Sequence, residues 1–208
     1  MVRLMAKAES RSRATPGPRD ERGVLSGRIL AAARNAFATT GWSGTTIRGV
    51  ARDADVDHAL VYHYFGSKEG LLDACTNPPA VWLEGVARTW EAPRDELGAT
   101  LLRYMMDSWA DEEIGPVLRA VLQTAAHEES TRAKLRMIVE RSLMGVSGLG
   151  ADDEERRLRS GMIATQIMGF AMMRYIWAVE PMASMTPDEA VAAIAPNLQR
   201  YIEGDLTG

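Results

Sequence analysis

Residues 45–72 read TTIRGVARDADVDHALVYHYFGSKEGLL, and this stretch decides the fold. Thr45 and Thr46 offer an N-cap to a short helix running to Asp53, on which Ile47, Val50 and Ala51 recur at i, i+3 and i+4 as one apolar face. Ala54, Asp55 and Val56 make a turn. Asp57 can cap the next helix, His58 to Tyr64, which directs Val61 and Phe65 toward the same core. Ser67 caps a further helix carrying Leu71, Leu72 and Cys75, which must stop before Asn77, Pro78 and Pro79. Two short helices joined by a tight turn, the second with polar and small residues on its free face, match the width of a DNA major groove.

Upstream, Ile29, Ala33 and Phe37 recur at i, i+4 and i+8, with Leu30 and Ala36 widening the stripe, so a helix is predicted from Ser26 to a stop at Gly41. Residues 1–22 are rich in Arg, Ser, Ala, Pro and Gly and have almost no large apolar side chain after Met5, so they read as a disordered basic tail. Either this tail is merely solvated, or Arg11, Arg13 and Arg19 reach a phosphate backbone or minor groove. A helix-turn-helix head is thus expected over 23–76 and a second domain over 77–208.

Beyond the prolines no stretch alternates as a strand would. Helices are predicted near 79–90, 94–109, 114–127, 130–147, 153–179 and 187–203, separated at Pro93, at Asp111 to Gly115, at Glu128 to Ser130, at Gly148 and Gly150, and at Pro181 to Pro187. The fold class is therefore all-α: a three-helix helix-turn-helix domain followed by a helical bundle. The apolar run Gly161 to Val179 has the length of a membrane span, but it carries Thr165, Gln166 and Arg174 behind the charged segment Asp152 to Arg159. It reads as a buried helix, and no membrane partner is expected.

Composition narrows the chemistry. Hydrophobic residues make up 46% of the chain and charged residues 25%, enough to bury a core. Cys75 is the single cysteine, and His58, His63 and His127 fall in no metal-ligand spacing, so neither a disulfide framework nor a metal or other cofactor is expected. Arg3 and Lys7 precede no continuous apolar segment of the kind a signal peptide has, which points to the cytoplasm. The net charge of −4 is uneven: residues 1–75 hold 11 Lys/Arg and 8 Asp/Glu, a balance of +3, leaving −7 for the rest. A basic head on an acidic body suits one DNA-binding end.

Phe37, Gly41, Trp42, Thr45, Thr46, Ile47, Val50 and Ala51, followed by the run Leu60 to Leu71 (LVYHYFGSKEGL), resemble the DNA-binding signature of the TetR family. The resemblance covers about fifty residues. It implies that Thr46 and Tyr62 hold phosphates, that Tyr64 either does likewise or packs inward, and that Lys68 clamps the backbone, contacts that position without selecting sequence. Base choice would fall to His58, Ala59, Leu60 and His63, with Arg48 assisting from the helix before. Two positions depart from the family pattern. Asp55 stands where Gly is common, but Asp tolerates a left-handed backbone. Asp57, itself among the candidate DNA-contacting residues with His58, Ala59, Leu60, Tyr62 and His63, replaces a common Ser or Thr; it can still cap, yet its charge repels phosphate.

The resemblance also implies a body that dimerises and senses a small effector. Ten methionines follow Cys75. Thioethers adapt to irregular space, so Met105, Met106, Trp109, Met137, Met168 and Met172 are candidates to line an apolar ligand cavity, ordinary core packing being the other reading. A homodimer seam is expected from Ile163, Ile167, Phe170, Met173 and Trp177 or from Ile194, Leu198 and Tyr201. Arg174 is expected either to pair with Glu180 or to reach solvent. The expected function is a repressor that binds palindromic operator DNA as a homodimer and is released by a small, largely apolar ligand. Two rivals are weaker. A helical protein-binding adaptor that lacks operator recognition rests on Asp57 alone. An α-helical enzyme would need the carboxylates of Glu128, Glu129 or Asp152 to Glu155, which suit solvated helix starts.

Overall fold

A computed structural model describes residues 18–144 and 148–206. Among the described residues ten α-helices follow one another: α1 (Pro18–Gly44), α2 (Ile47–Asp53), α3 (His58–Phe65), α4 (Lys68–Cys75), α5 (Ala80–Thr89), α6 (Leu97–Ala110), α7 (Ile114–Ala125), α8 (Glu129–Val139), α9 (Asp153–Ala171) and α10 (Pro187–Glu203). A 3₁₀ turn, Arg94–Glu96, leads into α6, and π-helical turns extend α8 over Glu140–Met144 and α9 over Met172–Ile176. Among the described residues there is no strand, as the absence of period-two alternation predicts.

Helix α1 begins at Pro18, inside the stretch expected to be tail, because proline suits a first helical position, where no N–H is needed. Arg11 and Arg13 lie outside the described residues, as does the side chain of Arg19. At its other end Gly41 takes φ 66°, open to glycine at little cost, and the chain kinks there. Thr45 then donates from both its amide and its hydroxyl to the Gly41 carbonyl, at 3.2 and 2.8 Å. Thr45 is buried by this bond, so Thr46, not Thr45, caps α2, its Oγ1 accepting from the Gly49 amide at 3.0 Å.

The head, α1 to α4, closes around one cluster in which Ile29, Ala33, Val50, Val61, Leu71 and Cys75 are wholly buried. Burial pushes the Cys75 thiol up to about 12. Helices α6, α9 and α10 enclose a larger core that includes Leu102, Ile163 and Leu198. Helix α6 lies so close to α10 that a Cβ on Gly98 would sit 2.7 Å from the Ala195 carbonyl oxygen. Gln199 secures this crossing, accepting from the Gly98 amide at 2.8 Å and donating to the Arg94 carbonyl at 2.7 Å. Arg159, only 7% exposed, has its charge met by Glu155 at 2.6 Å and by the carbonyls of Tyr201 and Gly204, both at 2.9 Å.

Two expectations for the body need correction. Ile163, Ile167 and Leu198 are buried within the chain's own core, whereas Phe170 and Ile194, largely covered, still line an outer groove with Met162, Met173 and Tyr201. The 3.6 period marks apolar faces, and α9 has two of them. The outward one carries Leu158, Met162 and Met173, followed by Trp177, 62% exposed, and Val179. Arg174 does not pair with Glu180. Its guanidinium donates to the Met182 carbonyl at 2.6 Å, while Glu180 accepts from the Ser184 hydroxyl. Among the described residues no helix is long and apolar enough to cross a membrane.

Candidate nucleic-acid interface and internal cavity

Helix α3 is short, so its ends matter. Asp57 caps it, its carboxylate accepting from the Ala59 amide at 2.7 Å, and Gly66 closes it with φ 73°. Helix α4 starts two residues later under the cap of Ser67, whose Oγ accepts from the Gly70 amide at 3.0 Å. A Cβ at Gly70 would lie 2.1 Å from the Phe65 carbonyl oxygen, so this approach of α4 to the end of α3 requires glycine. Before α3, Asp55 holds φ 53°, the left-handed conformation its residue type tolerates.

With Val61 fully buried, α3 presents His58, Ala59, Tyr62 and His63 as one exposed face at i, i+1, i+4 and i+5. Tyr62 is half exposed. Leu60 is half-buried at the edge of this face, and Thr46 and Arg48 are exposed on the neighbouring α2. The Asp57 carboxylate is also exposed, 3.6 Å from Nδ1 of His58. Tyr64 takes the second of its two expected places: half-buried, it packs against the head's core, in ring contact with Phe65 at 6.1 Å, since three helix positions beyond Val61 bring it back toward the buried side. Lys68 is half-buried and donates to the Trp42 carbonyl, with its ammonium 4.2 Å from the centre of the Trp42 ring.

Two anchors of the head had no local signal in the sequence. Arg28 on α1 donates to the Ala54 carbonyl at 2.6 Å and pairs with Asp55 at 3.3 Å, fixing the turn between α2 and α3 from 26 residues away. Lys134 on α8 pairs with Asp73 at 2.7 Å and donates to the Thr76 hydroxyl at 2.9 Å, tying the body to the end of α4. The Lys134 side chain is only 15% exposed. The next residues on the same helix, Leu135, Ile138 and Val139, line a cavity of about 110 Å³.

That cavity lies among α5, α6, α7, α8 and α9, and its wall is apolar apart from Ser142 among the described residues. Met105, Trp109 and Met168 belong to the wall; Met106, Met137 and Met172 do not. Met106, one position along from Met105, is swung about a quarter turn into the core against α10 and is 4% exposed. Met137 is 48% exposed on the outer side of α8, and Met172 lines an outer groove beyond the end of α9. Trp82 was not among the expected residues, yet it forms part of the wall. Trp109 stacks on Tyr175 at 4.7 Å with the rings 6° from parallel, and burial raises the Tyr175 phenol above its usual range.

Comparison with known proteins gives consistent results for both halves of the chain. Residues 29–75 match the family described as bacterial regulatory proteins, tetR family, and residues 95–202 match the family described as tetracyclin repressor-like, C-terminal domain. The HTH-type transcriptional regulator BetI of Burkholderia thailandensis is 28% identical over 116 residues, which cover 53% of this chain and 60% of BetI. An HTH-type transcriptional repressor of Mycobacterium tuberculosis is 33% identical over 88 residues, 39% of this chain and 46% of that protein. The chain thus matches less than two thirds of the length of either relative. The crystal structure of a TetR-family regulator from Streptomyces coelicolor superposes with a TM-score of 0.60 at 29% identity, covering 90% of this chain and 99% of that one.

Proposed function

Since this chain belongs to the TetR family of bacterial transcription regulators, we propose that it acts in the cytoplasm as a homodimeric repressor that grips a palindromic operator with α3 and lets go when a small, largely apolar ligand fills the body's cavity. The observation that carries this reading is the face of α3. It is a helix capped at both ends and seated by a buried Val61, and it turns His58, Ala59, Tyr62 and His63 outward. All four are exposed, and none belongs to the head's apolar cluster. A major groove admits one helix and is read by such side chains.

Each group then has a role set by its chemistry. The Tyr62 phenol and the Thr46 hydroxyl donate to phosphate, and Lys68, held over Trp42, adds a fixed positive charge beside the backbone. His58 and His63 donate to base edges, Ala59 and Leu60 contact thymine methyl groups, and Arg48 reaches in from α2. Asp57 opposes binding through its charge while holding the helix that binds.

Two copies meet through the outward strip of α9, where Leu158, Met162, Met173 and Trp177 offer apolar surface to their counterparts. Such a dimer places two α3 helices on successive major grooves, about 34 Å apart. Helix α8 supports the coupling, because one side of it walls the cavity while Lys134 holds the end of α4. A ligand that shifts α8 favours a head spacing that no longer fits the operator.

A gel shift with the DNA upstream of the protein's own gene tests the reading. A palindromic site is expected to bind the dimer, and Tyr62→Ala combined with Lys68→Ala to weaken it at least a hundredfold while the helical circular-dichroism signal stays unchanged. Undiminished binding by that variant would remove α3 from the interface and the proposal with it.

A further inference from the structure

The turn that aims α3 is held from outside the helix-turn-helix. One nitrogen of Arg28 on α1, Nη2, donates to three acceptors of that turn: the Ala54 carbonyl at 2.6 Å, the Asp55 carbonyl at 3.3 Å and the Asp55 carboxylate at 3.3 Å. Ala54 caps the C-terminal end of α2, where a helix leaves its last carbonyls without partners of its own. A guanidinium there satisfies an acceptor and complements the negative end of the helix dipole. The backbone between the helices is closely specified, the Asp55 amide donating to the Arg52 carbonyl at 3.1 Å and the Val56 amide to the Ala51 carbonyl at 2.9 Å. Asp55, at φ 53°, is the point where the chain changes direction. Helix α3 has eight residues. A rotation of about 10° at its base would carry the far end of such a helix, about 12 Å long, through about 2 Å. Hydrogen bonds to base edges do not survive a displacement of that size. The Arg28–Asp55 pair contributes little to folding, since its side chains are 45% and 97% exposed. Its effect is on direction.

We propose that Arg28 is a positioning residue for operator recognition: it fixes the angle at which α3 enters the major groove, with the Asp55 carboxylate as its second anchor, and it does not itself contact phosphate. This rests on reading α3 as the helix that enters the groove. It also accounts for aspartate at a position where the family commonly has glycine. Glycine suits a left-handed turn at least as well, but it offers Arg28 no side chain. The rival role for Arg28, a half-exposed cation on the DNA-binding half of the chain, is a direct phosphate contact.

Fluorescence anisotropy of the full-length protein on two duplexes of equal length, the palindromic site upstream of its own gene and the same bases scrambled, separates the two roles. The quantity read is the ratio of the two affinities, followed across a salt series. Arg28→Met is expected to lower the ratio about tenfold, the worth of one charge-assisted hydrogen bond, with the slope of log affinity against log salt unchanged. Arg28→Lys, which keeps a cation for the Ala54 carbonyl but not the fork, is expected to hold the ratio within about threefold of the original. A lost phosphate contact would weaken both duplexes alike, keep the ratio and reduce the slope by about one. A purely structural role would lower Tm and move neither ratio nor slope. Either of these results overturns the proposal. Should Arg28→Met fail to fold by circular dichroism, Asp55→Gly removes the second anchor and keeps Arg28. It is expected to lower the ratio about threefold with Tm held, and an unchanged ratio would overturn the proposal equally. An unaltered protein that fails to distinguish the two duplexes defeats the regulator reading. One that distinguishes them, beside variants that do so just as well, defeats only the role of Arg28.

Discussion

The head, residues 18–76, and the body that follows it are both built from helices packed on apolar cores, yet they keep their chemistry in opposite places. In the head the interior is closed around Ile29, Val50, Val61 and Leu71, all wholly buried, and the distinctive groups stand on the outside of α3. In the body the distinctive feature is a void, and the groups that define it, Trp82, Trp109, Met105 and Met168, face inward. A closed core positions a surface rigidly, which is what reading a groove requires. An open core has room for a second molecule and for the movement that its arrival causes. The same kind of substitution should therefore have opposite consequences in the two regions.

The largest contrast is expected between removing core volume in the head and adding it in the body. Leu71→Ala empties a filled site and should cost about 2–5 kcal/mol in urea unfolding, with operator binding lost as α3 loses its support. Ala164→Leu, which fills part of the cavity, should leave stability unchanged or raise it by up to about 2 kcal/mol, with operator binding intact and ligand response abolished. If Ala164→Leu destabilises as strongly as Leu71→Ala, the body is as closed as the head and the contrast fails.

The joint between the regions comes next. Lys134→Met severs the link from α8 to Asp73 and Thr76, and should lower local stability at the end of α4 by about 1–2 kcal/mol. Hydrogen exchange should show this as faster exchange of the Thr76 amide, with α9 and α10 unaffected. Unchanged exchange would mean that the two regions are held by apolar packing alone.

A smaller effect isolates surface charge from architecture. Asp57→Ser keeps an oxygen to cap α3 and removes a negative charge from the DNA-facing side. Thermal stability should hold within a few tenths of a kcal/mol, and operator affinity should rise about threefold at low salt, the gain shrinking as salt screens it. The last contrast is silent at neutral pH. In the unfolded chain Cys75 ionises near 9.0, whereas in the head it stays protonated to about 12. The unfolded state thus sheds a proton that the folded state keeps, and stability should fall as pH rises through that window and be unaffected below it. Cys75→Ala should flatten this alkaline decline in urea titrations monitored from pH 8 to 11.

The head was largely legible because its signals are local. The caps Thr46, Asp57 and Ser67 lie within three residues of the amides they satisfy, and the left-handed turn at Asp55 follows from one residue's tolerance. Tyr64 was ambiguous, since an aromatic on a two-turn helix fits either face, and only the packing of α3 on its neighbours turned it inward. The body's helices were legible to within a few residues, but their faces were not. A methionine-rich helix announces apolar surface without saying whether that surface meets a neighbouring helix, a void or a second chain, and so Met106, Met137 and Met172 fell on the wrong side of α6, α8 and α9.

By itself the sequence determined which segments from Ser26 onward are helical, though not that α1 starts as early as Pro18, and that α3 is a capped, outward-facing element, because hydrogen bonds and periodicities of three or four residues are written in neighbouring positions. Tertiary structure alone decided that Arg28 holds the turn before α3, that Lys134 joins body to head across 61 residues, and that Trp82 and Trp109 bound a cavity. Those contacts depend on how helices cross. Crossing geometry is set by the whole set of packed side chains together, and no short window of sequence contains it.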